Sequence, residues 1–345
     1  MKIGVLTGGG DVPGLNAAIR AVSRKSFNLG WDVVGIKNGW AGVLDADCIE
    51  LTPATVSGIL HVGGTMLGSS RTNPSKIENG IVRAIEGVEK MGLDALVAIG
   101  GDDTLSVALK MYQAGAKTVG VPKTMDNDVA ETDYCIGFDT AVTTVTDALD
   151  KLHTTASAHH RVIVVEVMGR DAGWVALYGG LSGGADYIFT PEEARSISDV
   201  CNHLERRRAM GKSFSIIVVA EGAEIADIAE DSSEMEEVGS DSFGHVRLDL
   251  RGIGATIARQ IEKRTGFETR SVNLGHVQRG GSPTVFDRVL ATRLGVFAVE
   301  LVRDGRFGMM AAQQGNKIVA VPLKDALAYN RKAPADMLEL AKLFY

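Results

Sequence analysis

Two short runs of acidic residues and glycine hold the side chains of this chain that are best suited to chemistry. They are Gly100–Thr104, with the sequence GGDDT, and Pro122–Asp128, with the sequence PKTMDND. Each run follows an apolar segment typical of a buried parallel strand. Because open α/β sheets bind ligands at the carboxyl ends of their strands, we expect both runs to lie side by side at one sheet edge.

The residue types in the two runs match a magnesium-bound polyphosphate. Four carboxylates and one ammonium would meet there, from Asp102, Asp103, Asp126, Asp128 and Lys123. Mg²⁺ takes carboxylate and water ligands, while phosphate groups bind backbone N–H groups and fixed cations. The sequence therefore predicts the reaction centre of a phosphoryl-transfer enzyme. Either run alone would also fit an ordinary turn, where Gly, Asp and Asn are common.

Two glycine-rich segments precede these runs. Thr7–Asn16 follows the first apolar segment, and glycine there lets phosphate oxygens approach backbone amides at a helix N-terminus. A dinucleotide-binding fingerprint is the competing interpretation, but it fits only if Pro13 replaces the third glycine, and Asp32 precedes the second strand rather than ending it. His61–Arg71 is the other segment. The guanidinium of Arg71 would bind a phosphate through two hydrogen bonds or lie at the surface.

Within the second acidic run, Asp126 and Asp128 stand two residues apart. On an extended loop they would point to the same side and share a task, such as accepting a proton and positioning a hydroxyl. Ordinary Asn and Asp turn chemistry is the alternative. Glycine-containing turns also follow strand-like segments later in the chain, at Glu166–Gly173, Glu221–Ala223 and Leu274–Gly281.

Cationic side chains lie at or near strand ends in the second half of the chain. They are Arg161, Arg170, Arg270, His276 and Arg279. This distribution suits the binding of a sugar phosphate. Any one of these side chains would also fit a structural ion pair.

Length and composition favour a globular enzyme. The 345 residues fit two α/β domains or one large domain with an insertion. Hydrophobic residues make up 45% of the chain and glycine contributes 41 residues, as expected where many strands and helices are joined by tight turns. The net charge is -7 and the one basic run, Arg206–Arg208, fits a solvated helix face, so we expect no nucleic-acid partner.

The cysteines and the apolar segments indicate where the protein works. Cys48, Cys135 and Cys201 form no CxxC or Cys/His metal pattern, which favours reduced thiols in a cytosol. The chain starts directly with a strand, leaving no room for a signal peptide, and it has no apolar run of 18 residues. We therefore predict a cytoplasmic protein that binds no membrane.

Strand-like runs alternate with helical patterns along the chain, which predicts parallel sheets joined by right-handed crossovers. The predicted strands are Ile3–Thr7, Val33–Ile36, Ala95–Ile99, Thr118–Val121, Arg161–Val167, Phe214–Ala220 and Thr269–Leu274. A polar stretch at Glu230–Phe243 is expected to be an exposed loop or a mobile insertion.

Eight motifs in a fixed order make this sequence resemble the phosphofructokinase family. The resemblance runs from Gly8 to about Arg303. Its motifs are GGDxPGxN, GGTxLGSSR, GGDDT, PKTxDND, GFDTA, EVMGR, AEG and LGHxQRGG.

The resemblance implies a fold of two similar three-layer α/β domains with mostly parallel sheets. A phosphoryl-donor-binding domain would comprise 1–138 plus about 252–305, and a sugar-phosphate-binding domain 139–251 plus about 306–345. It also implies a homo-oligomer, a dimer or a tetramer, in which Arg161 and Arg270 act across the subunit interface.

The resemblance also implies roles for individual residues. Asp126 would be the general base that takes the proton from the 1-hydroxyl of the sugar, and Asp102 would hold Mg²⁺. Donor-site residues would be Gly10, Arg71, Asp102, Asp103 and Thr104. Sugar-site residues would be Thr124, Asp126, Asp128, Arg161, Met168, Gly169, Arg170, Glu221, Arg270, His276 and Arg279, with Arg170 also stabilising the transfer.

Two positions select the phosphoryl donor within the family. ATP-using members carry glycine where this chain has Asp103 and Lys123, and the pattern found here is similar to that of pyrophosphate-dependent members. A carboxylate at Asp103 would crowd the α-phosphate of ATP, and like charges about 4 Å apart repel by roughly 4 kcal/mol at an effective dielectric near 20. Lys123 would neutralise Asp103 and offset charge on the transferred group.

The resemblance therefore implies a magnesium-dependent, reversible transfer from pyrophosphate to fructose 6-phosphate, a reaction of glycolysis and gluconeogenesis. An ATP-dependent 6-phosphofructokinase is the alternative. Basic residues of the allosteric site in ATP-using bacterial members align here with Pro53, His153 and Met210, although Arg20, Arg24 and Lys212 remain. Loss of three cations predicts no control by ADP or phosphoenolpyruvate, because each charge-assisted bond contributes about 1.5 to 3 kcal/mol.

Overall fold

The computed structural model describes residues 1–227 and 251–345. The polar stretch at 230–243 lies outside the described residues. The described chain forms two compact units, Met1–Thr140 with Arg279–Asn330, and Ala141–Gln278 with Arg331–Tyr345.

The described strands form two sheets. They are β1 (Lys2–Thr7), β2 (Asp32–Ile36), β3 (Cys48–Leu51), β4 (Ala95–Gly100), β5 (Thr118–Pro122), β6 (Val162–Val167), β7 (Tyr187–Phe189), β8 (Ser215–Ala220), β9 (Thr269–Asn273), β10 (Met309–Gln314) and β11 (Lys317–Pro322). The first unit has the seven-stranded order β11-β10-β5-β4-β1-β2-β3, and the second has the four-stranded order β7-β8-β6-β9. The seven predicted strands are confirmed to within one residue at each end.

Helices connect the strands. They are α1 (Leu15–Asn28), α2 (Trp40–Asp45), α3 (Gly80–Lys90), α4 (Asp102–Gln113), α5 (Phe138–His159), α6 (Trp174–Ser182), α7 (Ile197–Ala209), α8 (Ile253–Thr265), α9 (Val285–Arg303), α10 (Leu323–Ala326) and α11 (Ala335–Lys342). Within the described residues, short 3-10 helices lie at Pro74–Lys76 and Gly275–Arg279. None of the helices in the described ranges is long and apolar enough to cross a membrane.

The first unit has three layers because its central strands are apolar on both faces. Along β4, Leu96 and Ala98 pack into a core with side chains of α2, α3 and α4. The alternate side chains, Val97 and Ile99, are also fully buried, and α9 packs against β4, β5 and α1. A Cβ at Gly295 of α9 would lie 2.9 Å from a carbonyl oxygen of α1, so glycine permits this close helix packing.

The second unit is also layered around a sheet, and its four strands are all parallel. Val162 and Val164 of β6 and Ile217 and Val219 of β8 form a core with α7 and α8. The helix α6 contacts β7 and β8, and a Cβ at Gly180 would lie 2.7 Å from the Ile188 side chain. The predicted α/β class with mostly parallel sheets is confirmed.

The extents of the two units differ from the predicted domain ranges in two segments. Residues 252–278 belong to the second unit, because β9 pairs with β6 there. Residues 306–330 belong to the first unit, because β10 pairs in parallel with β5 and carries β11 with it. Strand pairing joins segments that are far apart in sequence, so the order of motifs did not reveal these two assignments.

Candidate active site

Three neighbouring strands of the first unit end at one edge of its sheet. The parallel pairs β1 with β4 and β4 with β5 place Thr7 beside Ile99, and Gly100 beside Pro122. The glycine turn after β1 and the two acidic runs therefore emerge side by side. This confirms the expected arrangement of the acidic runs.

The glycine turn packs directly against the start of α4. A Cβ at Gly8 would lie 2.5 Å from Oγ1 of Thr104, and a Cβ at Gly100 would overlap the same side chain. Gly9 has a φ of 75°, a left-handed conformation that favours glycine. Thr104 is buried, so its side chain sets the separation between the β1 and β4 turns.

Lys123 joins the third strand end to this turn. Its Nζ donates to the carbonyl oxygens of Gly8, at 2.9 Å, and Gly10, at 2.5 Å. The residue is only 3% exposed. Because the turn's carbonyl groups accept from the ammonium, Lys123 holds the backbone of the turn in one conformation.

Burial changes the charge state of Lys123. The pKa of its side chain is lowered from 10.5 to about 7, chiefly by loss of hydration and next by the nearby Arg279, while Asp11, Asp126 and Cys135 act in the opposite direction. The lowered pKa brings the loss of the Lys123 proton into the neutral pH range. The expected neutralisation of Asp103 by Lys123 stays a prediction.

Arg279 belongs to the first unit and lies against the same turn. Its Nη1 donates to the carbonyl oxygen of Asp11 at 3.3 Å. A Cβ at Gly10 would lie 2.6 Å from that nitrogen, so glycine makes room for the guanidinium. The sequence grouped Arg279 with the sugar site, and the structure places it beside Lys123 and the glycine turn.

The second glycine-rich loop is fastened onto this turn by side chains that the sequence analysis missed. Asn16 accepts from the amide of Met66 at 2.7 Å and donates to the carbonyl oxygen of Val62 at 3.1 Å. The Ser69 hydroxyl donates to the carbonyl oxygen of Gly9. Arg71, predicted to bind a phosphate, is exposed at the end of this fixed loop.

Asp102 and Asp103 occupy the first turn of α4, where the helix dipole favours negative charge. Asp102 is exposed and Asp103 is half-buried. No cluster of three or more His, Cys, Asp or Glu side chains suited to a metal occurs within 1–227 and 251–345. A single carboxylate fits Mg²⁺ only if phosphate oxygens and water supply the other ligands, which is how Mg²⁺ commonly binds phosphates.

The loop that carries Asp126 and Asp128 is held by the residue between them. Asn127 is buried, accepts from the amide of Cys135 at 2.8 Å and donates to the carbonyl oxygen of Asp133 at 3.1 Å. Its φ of 52° is left-handed. The premise of an extended loop is therefore wrong at this residue, and the rule that residues two apart share a side does not apply.

Thr124 orders the start of the same loop by accepting from the amide of Asp126 at 3.1 Å. Asp287 of α9 orders the GFDTA motif that follows. Its carboxylate accepts from the amides of Gly137 and Thr140 at 2.8 and 2.9 Å and from the Thr140 hydroxyl at 2.5 Å. Burial raises the pKa of Asp287 to about 6. Sequence analysis missed Asn127 and Asp287 because their partners are separated from them along the chain.

In the second unit, a separate group of predicted residues meets at the carboxyl ends of β8, β6 and β9. The amide of Glu221 donates to Val167 at 2.9 Å, and that of Gly222 donates to Gly169 at 3.0 Å. His276 is exposed on the 3-10 helix that follows β9. The structure therefore brings together Met168, Gly169, Arg170, Glu221 and His276 at one sheet edge.

The segment that follows Arg170 is fixed by the C-terminal part of the chain. Trp174 Nε1 donates to the carbonyl oxygen of Arg331 at 3.0 Å, and Glu192 accepts from the amides of Gly173 and Ala333, each at 2.8 Å. Arg170 Nε is buried and has no hydrogen-bond partner within the described parts of the chain. The EVMGR motif itself gave no indication of these hydrogen bonds.

Arg161 and Arg270 lie at the opposite end of the same sheet. Arg161 immediately precedes β6, and Val162 pairs with Thr269 at the start of β9. Since β6 has six residues and strands rise about 3.3 Å per residue, roughly 15 to 20 Å separates the two ends. Within one chain, these arginines are therefore not part of the cluster formed by Met168–Arg170 and Glu221.

Comparison with known proteins gives one consistent family. The model of the family described as phosphofructokinase matches residues 2–302. A pyrophosphate–fructose 6-phosphate 1-phosphotransferase from Amycolatopsis mediterranei is 53% identical, with 100% of both chains covered. An ATP-dependent 6-phosphofructokinase 3 from Streptomyces coelicolor is 48% identical over 97% of each chain.

A solved structure agrees. The Pichia pastoris phosphofructokinase in the T-state matches with a TM-score of 0.82 and 31% identity, covering 99% of this chain. This chain spans 36% of that longer chain.

Proposed function

This chain belongs to the phosphofructokinase family, and we propose that it transfers a phosphoryl group from pyrophosphate to the 1-hydroxyl of fructose 6-phosphate. The products are fructose 1,6-bisphosphate and phosphate, and the transfer is reversible and magnesium-dependent. The observation that carries the choice of donor is the buried Lys123, whose ammonium lies on the glycine turn at the point where three strands end.

The donor binds at the sheet edge of the first unit. Amide groups of the turn containing Gly10 and the guanidinium of Arg71 bind its phosphates, and Thr104 keeps the turn in place. The ammonium of Lys123 offsets negative charge on the transferred group and on the phosphate that leaves. Asp103, in the first turn of α4, repels the additional phosphate that ATP would bring.

Asp102 is the carboxylate that would hold Mg²⁺, which supplies neutralisation of the phosphate charge when it is bound. The remaining chemistry belongs to the carboxylates after β5. Asp126 takes the proton from the 1-hydroxyl as that oxygen attacks the terminal phosphorus, and the bond to the leaving phosphate breaks. Thr124 and Asp128 position the sugar, and the loop that carries them is held by Asn127.

The sugar phosphate is recognised in the second unit by Met168, Gly169, Arg170, Glu221 and His276. Arg170 also stabilises charge during the transfer. Its buried Nε, which has no hydrogen-bond partner within the described ranges, is a polar group that a bound anion would satisfy.

The working enzyme is a homo-oligomer, a dimer or a tetramer, in which Arg161 and Arg270 complete the site of a neighbouring subunit. The support for this assignment is their position at the amino ends of β6 and β9, far from the carboxyl-end cluster of the same chain. A second copy of the chain allows both ends of the sheet to serve sugar-phosphate sites.

Donor choice is tested by comparing pyrophosphate and ATP with the wild type and with the Asp103→Gly, Lys123→Gly double variant. The wild type is expected to turn over faster with pyrophosphate, and the double variant to shift its preference toward ATP by at least about tenfold, from loss of like-charge repulsion. A wild type that prefers ATP, or a double variant with unchanged preference, contradicts the proposal.

An ATP-dependent 6-phosphofructokinase is the second candidate, favoured by the 48% identity to the Streptomyces coelicolor relative of that name. The same donor assay separates the two. We further propose a cytoplasmic enzyme without allosteric control by ADP or phosphoenolpyruvate. Of the positions that lack the expected cations, Met210 is 76% exposed and Pro53 accepts through its carbonyl oxygen from Arg24 at 3.3 Å.

A further inference from the structure

Arg161 and Arg270 share a single carboxylate oxygen. Oε1 of Glu268 lies 2.7 Å from a terminal guanidinium nitrogen of each arginine. Arg270 Nη1 also donates to the carbonyl oxygen of Thr269 at 2.8 Å. Two like charges are thus brought together around one negative atom at the amino end of the second sheet.

Arg270 lies on β9, and Arg161 and Glu268 immediately precede the paired strands β6 and β9. The amide of Val162 donates to the backbone carbonyl of Glu268 at 3.0 Å, and Ile163 pairs with Arg270 in the parallel register. The amide of Arg161 donates to Ala156 at the end of α5, at 3.1 Å. Side chains on rigid, paired backbone keep a defined spacing better than side chains on a loop.

Stability does not account for this arrangement. The side chains of Arg161 and Arg270 are 31% and 52% exposed, and exposed ion pairs contribute little to folding. Without Glu268 the two guanidinium groups would repel each other and separate. A phosphate dianion, in contrast, pairs well with two planar guanidinium groups held at a fixed distance.

The surrounding charges keep Glu268 ionised. The hydrogen bond from Arg161 holds the pKa of the Glu268 carboxyl below its usual range, and Arg270 and His159 act in the same direction. Glu262 of α8 is the other nearby acid, but its carboxylate lies 3.6 Å from Arg270. Glu268 therefore has a bridging contact that Glu262 lacks.

We propose that Glu268 is a positioning residue that holds Arg161 and Arg270 as a preformed two-guanidinium clamp for the phosphate of the sugar acceptor bound to the neighbouring subunit. This inference rests on the proposed function. The opposite role, in which Glu268 occupies the phosphate position and competes with the substrate, predicts the opposite change in KM.

The test measures KM for fructose 6-phosphate and kcat at saturating pyrophosphate. Glu268→Ala should raise KM about tenfold and leave kcat within about twofold, because preorganisation is lost without touching the reacting atoms. Glu268→Gln should stay within about threefold of the wild type, since its side-chain oxygen still accepts from both arginines. Glu205→Ala, at an exposed glutamate on α7, is the control with the same charge change and should leave KM unchanged.

An Ala variant with unchanged or lowered KM overturns the inference, and lowered KM in both the Ala and Gln variants identifies Glu268 as a competitor. If Glu268→Ala does not fold, Glu268→Asp replaces it, because the shorter side chain keeps the charge but loses the bridge and should also raise KM. Arg161→Ala distinguishes failure of this inference from failure of the proposed function. A raised KM for Arg161→Ala with a normal KM for Glu268→Ala overturns only this inference, whereas a wild type inactive on fructose 6-phosphate overturns the proposed function and this inference with it.

Discussion

The two groups of cations that we propose to act on phosphate are held in contrasting ways. Lys123 in the first unit is buried and bonded to two backbone carbonyl groups. Arg161 and Arg270 in the second unit are exposed and joined through Glu268. Burial fixes Lys123 in position, but it also makes the protonated form easier to lose, because the pKa is lowered to about 7. The two guanidinium groups lie at the surface, and a carboxylate holds them together.

The contrast between the two units indicates which parts of the proposed reaction one chain could perform alone. The first unit brings its three strand ends together within a single sheet. The proposed donor-binding groups and Asp126 are therefore positioned without a second subunit. Within the described ranges, the arginines at the amino end of the second sheet lie far from the cluster formed by Met168–Arg170 and Glu221. Chemistry is therefore expected to depend on groups within one chain, and acceptor affinity on a second chain.

The largest expected effect follows from loss of Asp126, the proposed general base. Asp126→Ala should lower kcat by about 10² to 10⁴-fold, the usual contribution of a general base, while fructose 6-phosphate still binds. Steady-state turnover and equilibrium binding of the sugar phosphate measure the two quantities. Asp126→Asn is the shape-matched control and should be similarly slow. Turnover within about tenfold of the wild type would contradict the proposal that Asp126, in the first unit, is the general base.

A mixing experiment tests the contrast between the units directly. Asp126→Ala and Arg161→Ala chains, each poorly active alone at low fructose 6-phosphate, are unfolded together and refolded. If Arg161 serves the neighbour's site, one site of every mixed pair has both residues intact, and random pairing should restore about a quarter of wild-type activity. Absence of recovery, with mixed assemblies demonstrated by differently tagged chains, would place Arg161 in its own chain's site or in none.

The smallest expected effect concerns pH. The pKa of Lys123 is lowered to about 7, so its ammonium form is lost as the pH rises through that value. If the charge serves donor binding and transfer, kcat/KM for pyrophosphate should fall roughly fivefold between pH 7 and pH 8.

Lys123→Met is the reference for this profile, because pyrophosphate itself titrates in the same range. The ratio of kcat/KM for pyrophosphate in the wild type to that in Lys123→Met should decline with rising pH. A ratio that is constant from pH 6 to pH 9 contradicts a role for the Lys123 ammonium. Lys110→Met, an exposed change on α4, controls for loss of a surface lysine and should match the wild type.

Strands with a strong local signal were predictable from the sequence. The runs that became β1, β4, β5, β6 and β8 are apolar and contain β-branched residues, and each is followed by a segment rich in glycine or polar residues, so their burial and their carboxyl-end loops could be inferred. Four of the described strands were not predicted, including β11, whose sequence KIVAVP is as apolar as that of the predicted strands. They are β3, β7, β10 and β11; β7 has three residues, β10 reads MMAAQQ, and β3 and β11 lie at sheet edges.

The motifs likewise indicated which residues are suited to the proposed chemistry, and their order indicated the family. They did not reveal what each side chain contacts. The bonds from Lys123 to the glycine turn, the place of Arg279 beside that turn and the bridge through Glu268 each join residues that are distant in sequence.

The amino-acid sequence by itself determined the α/β class, the family and the set of chemically capable residues, because periodicity and motif spacing are local properties of the chain. The tertiary structure decided how 252–278 and 306–330 are divided between the units and which end of the second sheet carries each arginine. It also decided how far burial depresses the pKa of Lys123. These properties arise from strand pairing and from exclusion of water, which depend on contacts between segments that the chain order does not specify.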